Sequence, residues 1–351
     1  MTPIVIPAYE PDQRLLSLLQ DMLDKKLGPV IIVDDGSGKD YADLFAQAQE
    51  FVRELGGTIL THEVNRGKGR ALKTAFAHIL EAYPDAVGCV TADSDGQHTV
   101  ECILSVRRAL EENPEKLILG VRRFDGEGVP WKSRAGNAIT EKVFAYVSGV
   151  HVTDTQTGLR GIPRSFMEEL LDVPGERFEF ETQMLLESAG KYAIQEVPIR
   201  TIYDSRDNHQ THFNPFADSV KIYRILAARF LRYIFASASS CVIDLVLFAI
   251  FCRLFKGRTP AYIAVSTALA RVISAVYNYL VNYKLVFGSK QKVAVSGVKY
   301  FLLAVVQMGL SALLVTAGSA FLPALPEVAV KVVVDTILFF ISYKVQQKYI
   351  F

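Results

Sequence analysis

The stretch AVGCVTADSDGQH, Ala86 to His98, decides how this chain is to be folded. An apolar run, Ala86–Val90, ends in two aspartates one residue apart, Asp93 and Asp95. Gly96 lets the backbone turn sharply, and Gln97 supplies a neutral oxygen. Alternate residues of an extended segment point to opposite faces, so Asp93 and Asp95 emerge on the same side. Hard oxygen ligands in that number suit Mg²⁺ or Mn²⁺, which takes one or two carboxylates and shares its other positions with phosphates and water. A polar loop after a buried strand has the same composition, and D-x-D alone does not separate the two readings. The flanking pattern has to.

Upstream, TPIVIPAY (Thr2–Tyr9) reads as a buried strand ending in a proline turn. From Asp12 to Lys25, apolar residues at Leu15, Leu16, Leu18, Leu19, Met22 and Leu23 keep helical spacing. PVIIVDDGSG (Pro29–Gly38), a helix from about Lys39 to Leu55, and a strand GTILTH (Gly57–His62) come next. NRGKGRAL (Asn65–Leu72) opens a helix to about Tyr83, which feeds the 86–98 stretch. Strands alternating with helices at this spacing predict a Rossmann-like α/β domain whose mainly parallel sheet is covered on both faces. Ligands gather at the carboxyl ends of such strands. The clusters PAYE (7–10), DDGS (34–37) and DSDGQ (93–97) all fall there, which favours one site over three unrelated loops.

Each cluster has a candidate task. Asp34 and Asp35 can accept hydrogen bonds from a base or ribose, or form an acidic turn or cap before Ser37. Lys68 and Arg70 at a helix start can meet a diphosphate beside free N–H groups, with Gly67 and Gly69 allowing close backbone approach. N-R-G-K-G lacks the span and the Lys-Ser/Thr ending of a Walker A loop. Glu179–Gly190 reads as a helix with Phe180, Met184 and Leu185 in the core. Its Glu179 and Glu181 either face the site or favour the helix start. His98 fits a loop residue better than a third metal ligand. The polar segment Ile202–Pro215 carries Arg206, Asn208 and His212, either a flap that brings Arg206 to a phosphate or an exposed connector.

The 351 residues carry a formal net charge of +1, which argues against nucleic-acid binding through bulk charge. Composition changes near residue 230. The expected divisions are a soluble domain at 1–212, an amphipathic surface helix or linker at 213–228, and a membrane domain at 229–351. Four apolar stretches, about 233–255, 262–286, 298–322 and 328–349, are each long enough for a ~30 Å hydrocarbon core. Basic residues at Arg229, Arg232, Lys284, Lys290, Lys292, Lys299, Lys344 and Lys348 outnumber Arg253, Lys256 and Arg258 on the other side. A multi-pass protein with both termini and the soluble domain in the cytoplasm is expected. MTPIVIPAYEP shows no basic leader segment and meets Pro7 too early for a signal peptide. The four cysteines lack metal-ligand spacing and read as reduced. Asp244, Arg271 and Asp335 lie inside apolar stretches, where charges are costly and usually paired; Arg271 can pair with either aspartate.

P-A-Y-E at 7–10, V-D-D-G-S at 33–37, N-R-G-K-G at 65–69 and D-S-D-G-Q-H at 93–98 resemble, in order and spacing, the family 2 glycosyltransferases of GT-A fold. More narrowly they resemble polyprenyl- and dolichyl-phosphate sugar transferases, dolichyl-phosphate mannose synthases included. G-V-R at 120–122, K-S-R-A-G-N at 132–137, D-T-Q-T-G-L-R-G at 154–161 and E-V-P-I at 196–199 extend the match. The membrane half, with Y-N-Y-L-V-N-Y-K-L-V-F at 277–287, resembles the four-helix GtrA-like domain.

The resemblance implies that Pro7, Tyr9, Asp35 and Asp93 hold the nucleotide of the donor, with Glu10, Asp34, Lys68, Ser94 and Arg206 as the further donor-site candidates. It implies Mg²⁺ or Mn²⁺ on Asp93, Asp95 and Gln97, and an acceptor phosphate on Arg122, Arg134 and Asn137. Many relatives have Asn-Glu after the tyrosine where this chain has Glu10-Pro11, so Glu10 departs from the pattern. The implied reaction moves a sugar from GDP-mannose or a UDP-hexose onto polyprenyl or dolichyl phosphate, with inversion. Asp154 can orient the acceptor or assist deprotonation, or pair with Arg160. A flippase or export component for a lipid-linked sugar is an alternative, and self-association stays open. A processive polysaccharide synthase is disfavoured, because Gln-x-x-Arg-Trp is absent and the single tryptophan is Trp131.

Overall fold

A computed structural model describes residues 1–122, 141–200, 217–257, 262–289, 291–321 and 326–351. Their contacts divide into two units, Met1–Ile225 and Leu226–Phe351.

In the first unit, β1 (Ile4–Ala8) and β2 (Val30–Asp34) are buried at every residue. Strands with that pattern need cover on both faces, as parallel strands do. A seven-stranded sheet runs in the order β3-β2-β1-β4-β6-β5-β7, with β3 Thr58–Thr61, β4 Gly88–Thr91, β5 Leu117–Arg122, β6 Arg160–Pro163 and β7 Ile194–Ile199. Among these pairings, only those of β6 with β4 and β5 are antiparallel. Helix α1 (Gln13–Asp24) packs on α2 (Ala42–Glu54) and α4 (Val100–Glu112). Helix α3 (Lys68–Ala82) instead packs on α5 (Arg164–Leu170) and α6 (Glu179–Ser188). The apolar stripe of α1 closes as its spacing requires, with Leu15, Leu16, Leu18, Leu19 and Met22 buried and Asp12 capping the Arg14 N–H. Phe180, Met184 and Leu185 are fully buried on α6.

The topology fixes where a ligand can enter. From β1 the chain runs outward through β2 and β3, then returns to place β4 on the other side of β1. β1 and β4 pair only at Ile4 and Val5 and separate after the Ala92 N–H to Val5 O bond. Pro7 faces that parting, so its missing N–H removes no ladder bond. The crevice at this reversal is where doubly wound sheets take ligands.

The second unit contains α7 (Ala217–Phe255), whose first residues precede the division, α8 (Tyr262–Val281), α9 (Val293–Phe321) and α10 (Glu327–Val345). No glycine or proline interrupts 217–256, and α7 is one continuous helix from Ala217 to Phe255. Gly257, at φ +80°, ends it. Among the described residues, Phe230–Phe255 and Val293–Gly318 are long and apolar enough to cross a bilayer. Leu245, Val298 and Leu302 are more than half exposed, as lipid-facing side chains must be.

The two hairpins of this unit repeat each other. Tyr279, Val281, Asn282, Lys284, Val286 and Phe287 recur at constant spacing as Tyr343, Val345, Gln346, Lys348, Ile350 and Phe351. Both segments relax into a π-helical turn, Asn282–Val286 and Gln346–Ile350. Ring centroids in the trio Tyr233, Phe287 and Tyr343 stand 6.3, 5.0 and 5.7 Å apart. In the trio Tyr300, Phe351 and Tyr279 the corresponding distances are 6.4, 5.5 and 5.8 Å. Phe287 stacks on Phe351 at 5.0 Å between the trios. The same spacing sets Arg271 against Asp335. Arg271 Nε lies 3.7 Å from Asp244 Oδ2, while Asp335 accepts from Ser311. Of the two partners open to Arg271, the fold selects Asp244.

Candidate active site

Four strand ends bring charged groups to the crevice. After β1, Glu10 adopts a left-handed conformation, φ +48°, and its N–H donates to Ser37 Oγ at 2.9 Å. The Tyr9 hydroxyl is held above its ordinary pKa by a hydrogen bond to Glu10, with the Glu10 and Asp35 charges adding to it. After β2, Asp34 Oδ1 accepts the Ser37 N–H at 2.9 Å and shapes the turn. Asp35 is turned inward. Its carboxylate accepts the Arg66 and Gly67 N–H groups at 2.9 and 2.7 Å and meets His62 Nδ1 at 2.7 Å. His62 passes the contact on to Thr74 Oγ1. Three of the four lone-pair sites of the Asp35 carboxylate are thus filled within the protein. Asp35 organises the 65–69 loop, and His62 is a partner that sequence pattern did not disclose.

That loop also departs from expectation. A Cβ on Gly67 would meet Glu176 O at 2.3 Å, and one on Gly69 would meet Phe180 Cβ at 2.6 Å. The glycines admit the 176–180 segment of this chain. Arg70, expected at a diphosphate, is paired with Glu176, which also accepts from Lys73 at 3.2 Å. Lys68, the first residue of α3, does reach the crevice. Its Nζ stands 2.7 Å from Asp93 Oδ1 and 3.0 Å from Glu181 Oε1.

After β4 the chain presents Asp93, Ser94 and Asp95. Burial works against the Asp93 charge, but the Lys68 ammonium outweighs it and holds the carboxyl at about 2. Asp95 moves the other way: burial, then the Asp93 charge, push its carboxyl up. Two carboxylates with opposed shifts, one of them short of positive charge, form a place for a cation. Asp95 Oδ1 accepts the Gln97 N–H at 3.0 Å. Both residues line a cleft of about 390 Å³ opposite Arg14, Ser17 and Asp21 of α1. Among the described residues no three His, Cys, Asp or Glu side chains converge as a closed cage. Two carboxylates that leave positions open suit Mg²⁺ or Mn²⁺ shared with phosphate oxygens, and the residues fit such an ion. His98 is buried and accepts the Asp93 N–H at Nδ1. Burial depresses its pKa, and the neutral ring braces the loop through that bond.

At the end of β5, Arg122 is locked to Asp154. Its Nε and Nη2 donate to Oδ2 and Oδ1 at 2.7 and 3.0 Å, and its backbone N–H to Oδ2 at 3.3 Å. The Gln156 N–H fills the remaining site on Oδ1 at 3.1 Å. Asp154 is fully buried, and its four lone-pair sites carry four donors. It holds Arg122 in place. Arg160, equally buried, donates to the carbonyls of Thr157 and Glu181. Arg134, Asn137 and Arg206 lie outside the described residues.

Residues 4–171 match the model of glycosyl transferase family 2, and residues 232–351 match that of the GtrA/DPMS transmembrane domain. An uncharacterised protein of Methanocaldococcus jannaschii is 27% identical over 206 residues, 57% of this chain and 81% of that protein. A UDP-N-acetylglucosamine–dolichyl-phosphate N-acetylglucosaminyltransferase of Methanococcus voltae is 26% identical over 215 residues, 57% of this chain and 85% of that protein. Among solved structures, a mannosyltransferase from Pyrobaculum calidifontis in complex with GDP-Man and Mn2+ aligns over 99% of this chain and 87% of its own. Its identity is 14% and its TM-score 0.42.

Proposed function

We propose that this chain, a family 2 glycosyltransferase domain followed by a GtrA/DPMS transmembrane domain, moves a sugar from a nucleotide donor onto a polyprenyl or dolichyl phosphate. The observation that carries this reading is the Asp93–Asp95 pair at the β1/β4 crevice, facing Lys68 and within electrostatic reach of Arg122. Name-level support comes from the Methanococcus voltae relative, a dolichyl-phosphate transferase.

In this reading Pro7, Tyr9, Glu10 and Asp34 shape the nucleoside end of the donor site, and Asp35 acts through the loop it holds. Lys68 and Ser94 stand at the diphosphate, with Arg206 assigned there from sequence. Asp93, Asp95 and Gln97 hold Mg²⁺ or Mn²⁺, which when bound neutralises the departing diphosphate. A lipid phosphate is already anionic near neutral pH, so no strong base is needed, in keeping with the saturated Asp154. Arg122 offers a planar, always-charged donor to that phosphate, and Asp154 fixes its orientation. Arg134 and Asn137 complete the acceptor side from sequence. One displacement by the phosphate oxygen at the anomeric carbon inverts it. The membrane half then anchors the catalytic domain on the cytoplasmic side, the side favoured by the basic residues.

The test is transfer itself. Purified full-length protein is incubated with polyprenyl phosphate, Mg²⁺ or Mn²⁺, and a panel of labelled GDP- and UDP-sugars. A lipid-linked product with one donor supports the reading; no product with any donor refutes it.

A further inference from the structure

Lys68 stands between carboxylates from two different elements. Asp93 follows β4; Glu181 lies in the first turn of α6, where its side chain is only 11% exposed. The position of Glu181 is not incidental. Gly69 admits Phe180 at a distance a Cβ would not allow, and the Glu181 carbonyl accepts the buried Arg160 Nη1 at 2.7 Å. The start of α6 is thereby fixed against the start of α3, with Glu181 Oε1 3.0 Å from Lys68 Nζ.

The arrangement poses a problem for a divalent cation. Asp93, one of its two carboxylate ligands, already holds an ammonium group at 2.7 Å. A lysine and a divalent ion on one carboxylate repel each other. A lysine with no second partner would compete for Asp93 or leave a buried charge unpaired. We propose that Glu181 is a positioning residue that retains Lys68 when a divalent cation takes over Asp93, leaving the ammonium beside the cation's phosphate ligands. This rests on the metal seat assigned above.

Direct Mn²⁺ binding to the full-length protein, by electron paramagnetic resonance and calorimetry, tests it without reference to activity. Five forms are compared: unaltered protein, Glu181→Gln, Glu181→Asp, Lys68→Ala, and the Lys68→Ala/Glu181→Gln double variant. Losing an acidic neighbour weakens cation binding modestly in any background, so the decisive quantity is the coupling between the two positions. With Lys68 present, Glu181→Gln weakens Mn²⁺ binding on the order of tenfold, the size of a close charge-pair coupling. Without Lys68 the same change costs less than about twofold, and Glu181→Asp restores part of the affinity. Equal losses in both backgrounds, or no loss with Lys68 present, would overturn the proposal. Absence of Mn²⁺ binding in the unaltered protein, or unchanged binding in Asp95→Ala, refutes the metal seat itself and this proposal with it. Asp95-dependent binding without coupling refutes only the role of Glu181.

Discussion

A methyl group placed on Gly158 would stand 2.3 Å from Asp93 Oδ2, well inside any real carbon–oxygen contact. Thr91 Oγ1 ties the Gly158 carbonyl to the end of β4 at 2.7 Å, so the Gly158 backbone cannot yield cheaply. Gly158→Ala should therefore displace Asp93 from Lys68. A shift of that size costs transfer on the order of 10²-fold. Retained activity with an unchanged melting temperature would show that the Asp93 position is not critical.

Asp95→Ala removes the carboxylate that burial and Asp93 leave short of positive charge. Transfer should fall at least about 10²-fold, the scale of losing one preorganised electrostatic contact. The helical circular dichroism and detergent-solubilised size should stay unchanged. Chelation of divalent ions should reproduce the loss in the unaltered protein. Normal metal-dependent turnover in the variant would mean that the crevice is organised around another group.

The Arg122–Asp154 pair separates structure from chemistry. Arg122→Ala leaves Asp154 as a fully buried charge without its main partner, which typically costs about 3–5 kcal/mol. Replacing both, as Arg122→Met with Asp154→Leu, should recover most of that stability in chemical unfolding and none of the transfer. Recovery of both would assign Arg122 a purely structural role.

Glu176 clasps the 176–180 segment to α3 through Arg70 and Lys73. Burial disfavours its charge, but the two bases outweigh this and leave its pKa below the ordinary glutamate value of 4.5. The sign follows from linkage. The contribution is complete above the unfolded value and is lost as pH falls through the folded one. Glu176→Gln should flatten the acid side of the stability curve below about pH 4.5. Because the carboxylate is 43% exposed, the effect near neutrality should stay under about 1 kcal/mol. An unchanged acid slope would contradict it.

In the membrane unit, Asp244→Asn and Arg271→Gln should each lower thermal stability in detergent. The double variant should lose less than the two added together, because the surviving charge no longer lacks its partner. A coupling of about 1 kcal/mol is expected for polar contacts between membrane helices. Strict additivity would show that the 3.7 Å approach carries no interaction.

Much of this was legible in the chain itself. The leucines of α1, the buried runs of β1 and β2 and the three polar clusters at strand ends are local patterns, and period and turn chemistry report local patterns well. The placement of Glu181 beside Lys68, of His62 beneath Asp35 and of Gly158 against Asp93 was not legible. Each joins residues far apart in sequence through chain crossings that no period encodes. The duplicated hairpin is hard to read in the sequence for a different reason. Its two copies share only scattered side chains, and the equivalence becomes plain when matching trios of rings lie at matching distances.

The sequence alone determined that strands alternate with helices, that acidic residues end β2 and β4, and that the chain beyond residue 230 is apolar enough for a bilayer. These follow from side-chain polarity at fixed intervals along one segment. Only the tertiary structure decided which acid keeps a free role. Asp35 and Asp154 are consumed by backbone amides and a guanidinium, while Asp95 is left half-buried near Asp93, at the cleft it lines. A carboxylate's chemistry depends on how many donors the fold brings to its oxygens, and those donors come from segments that meet only after folding.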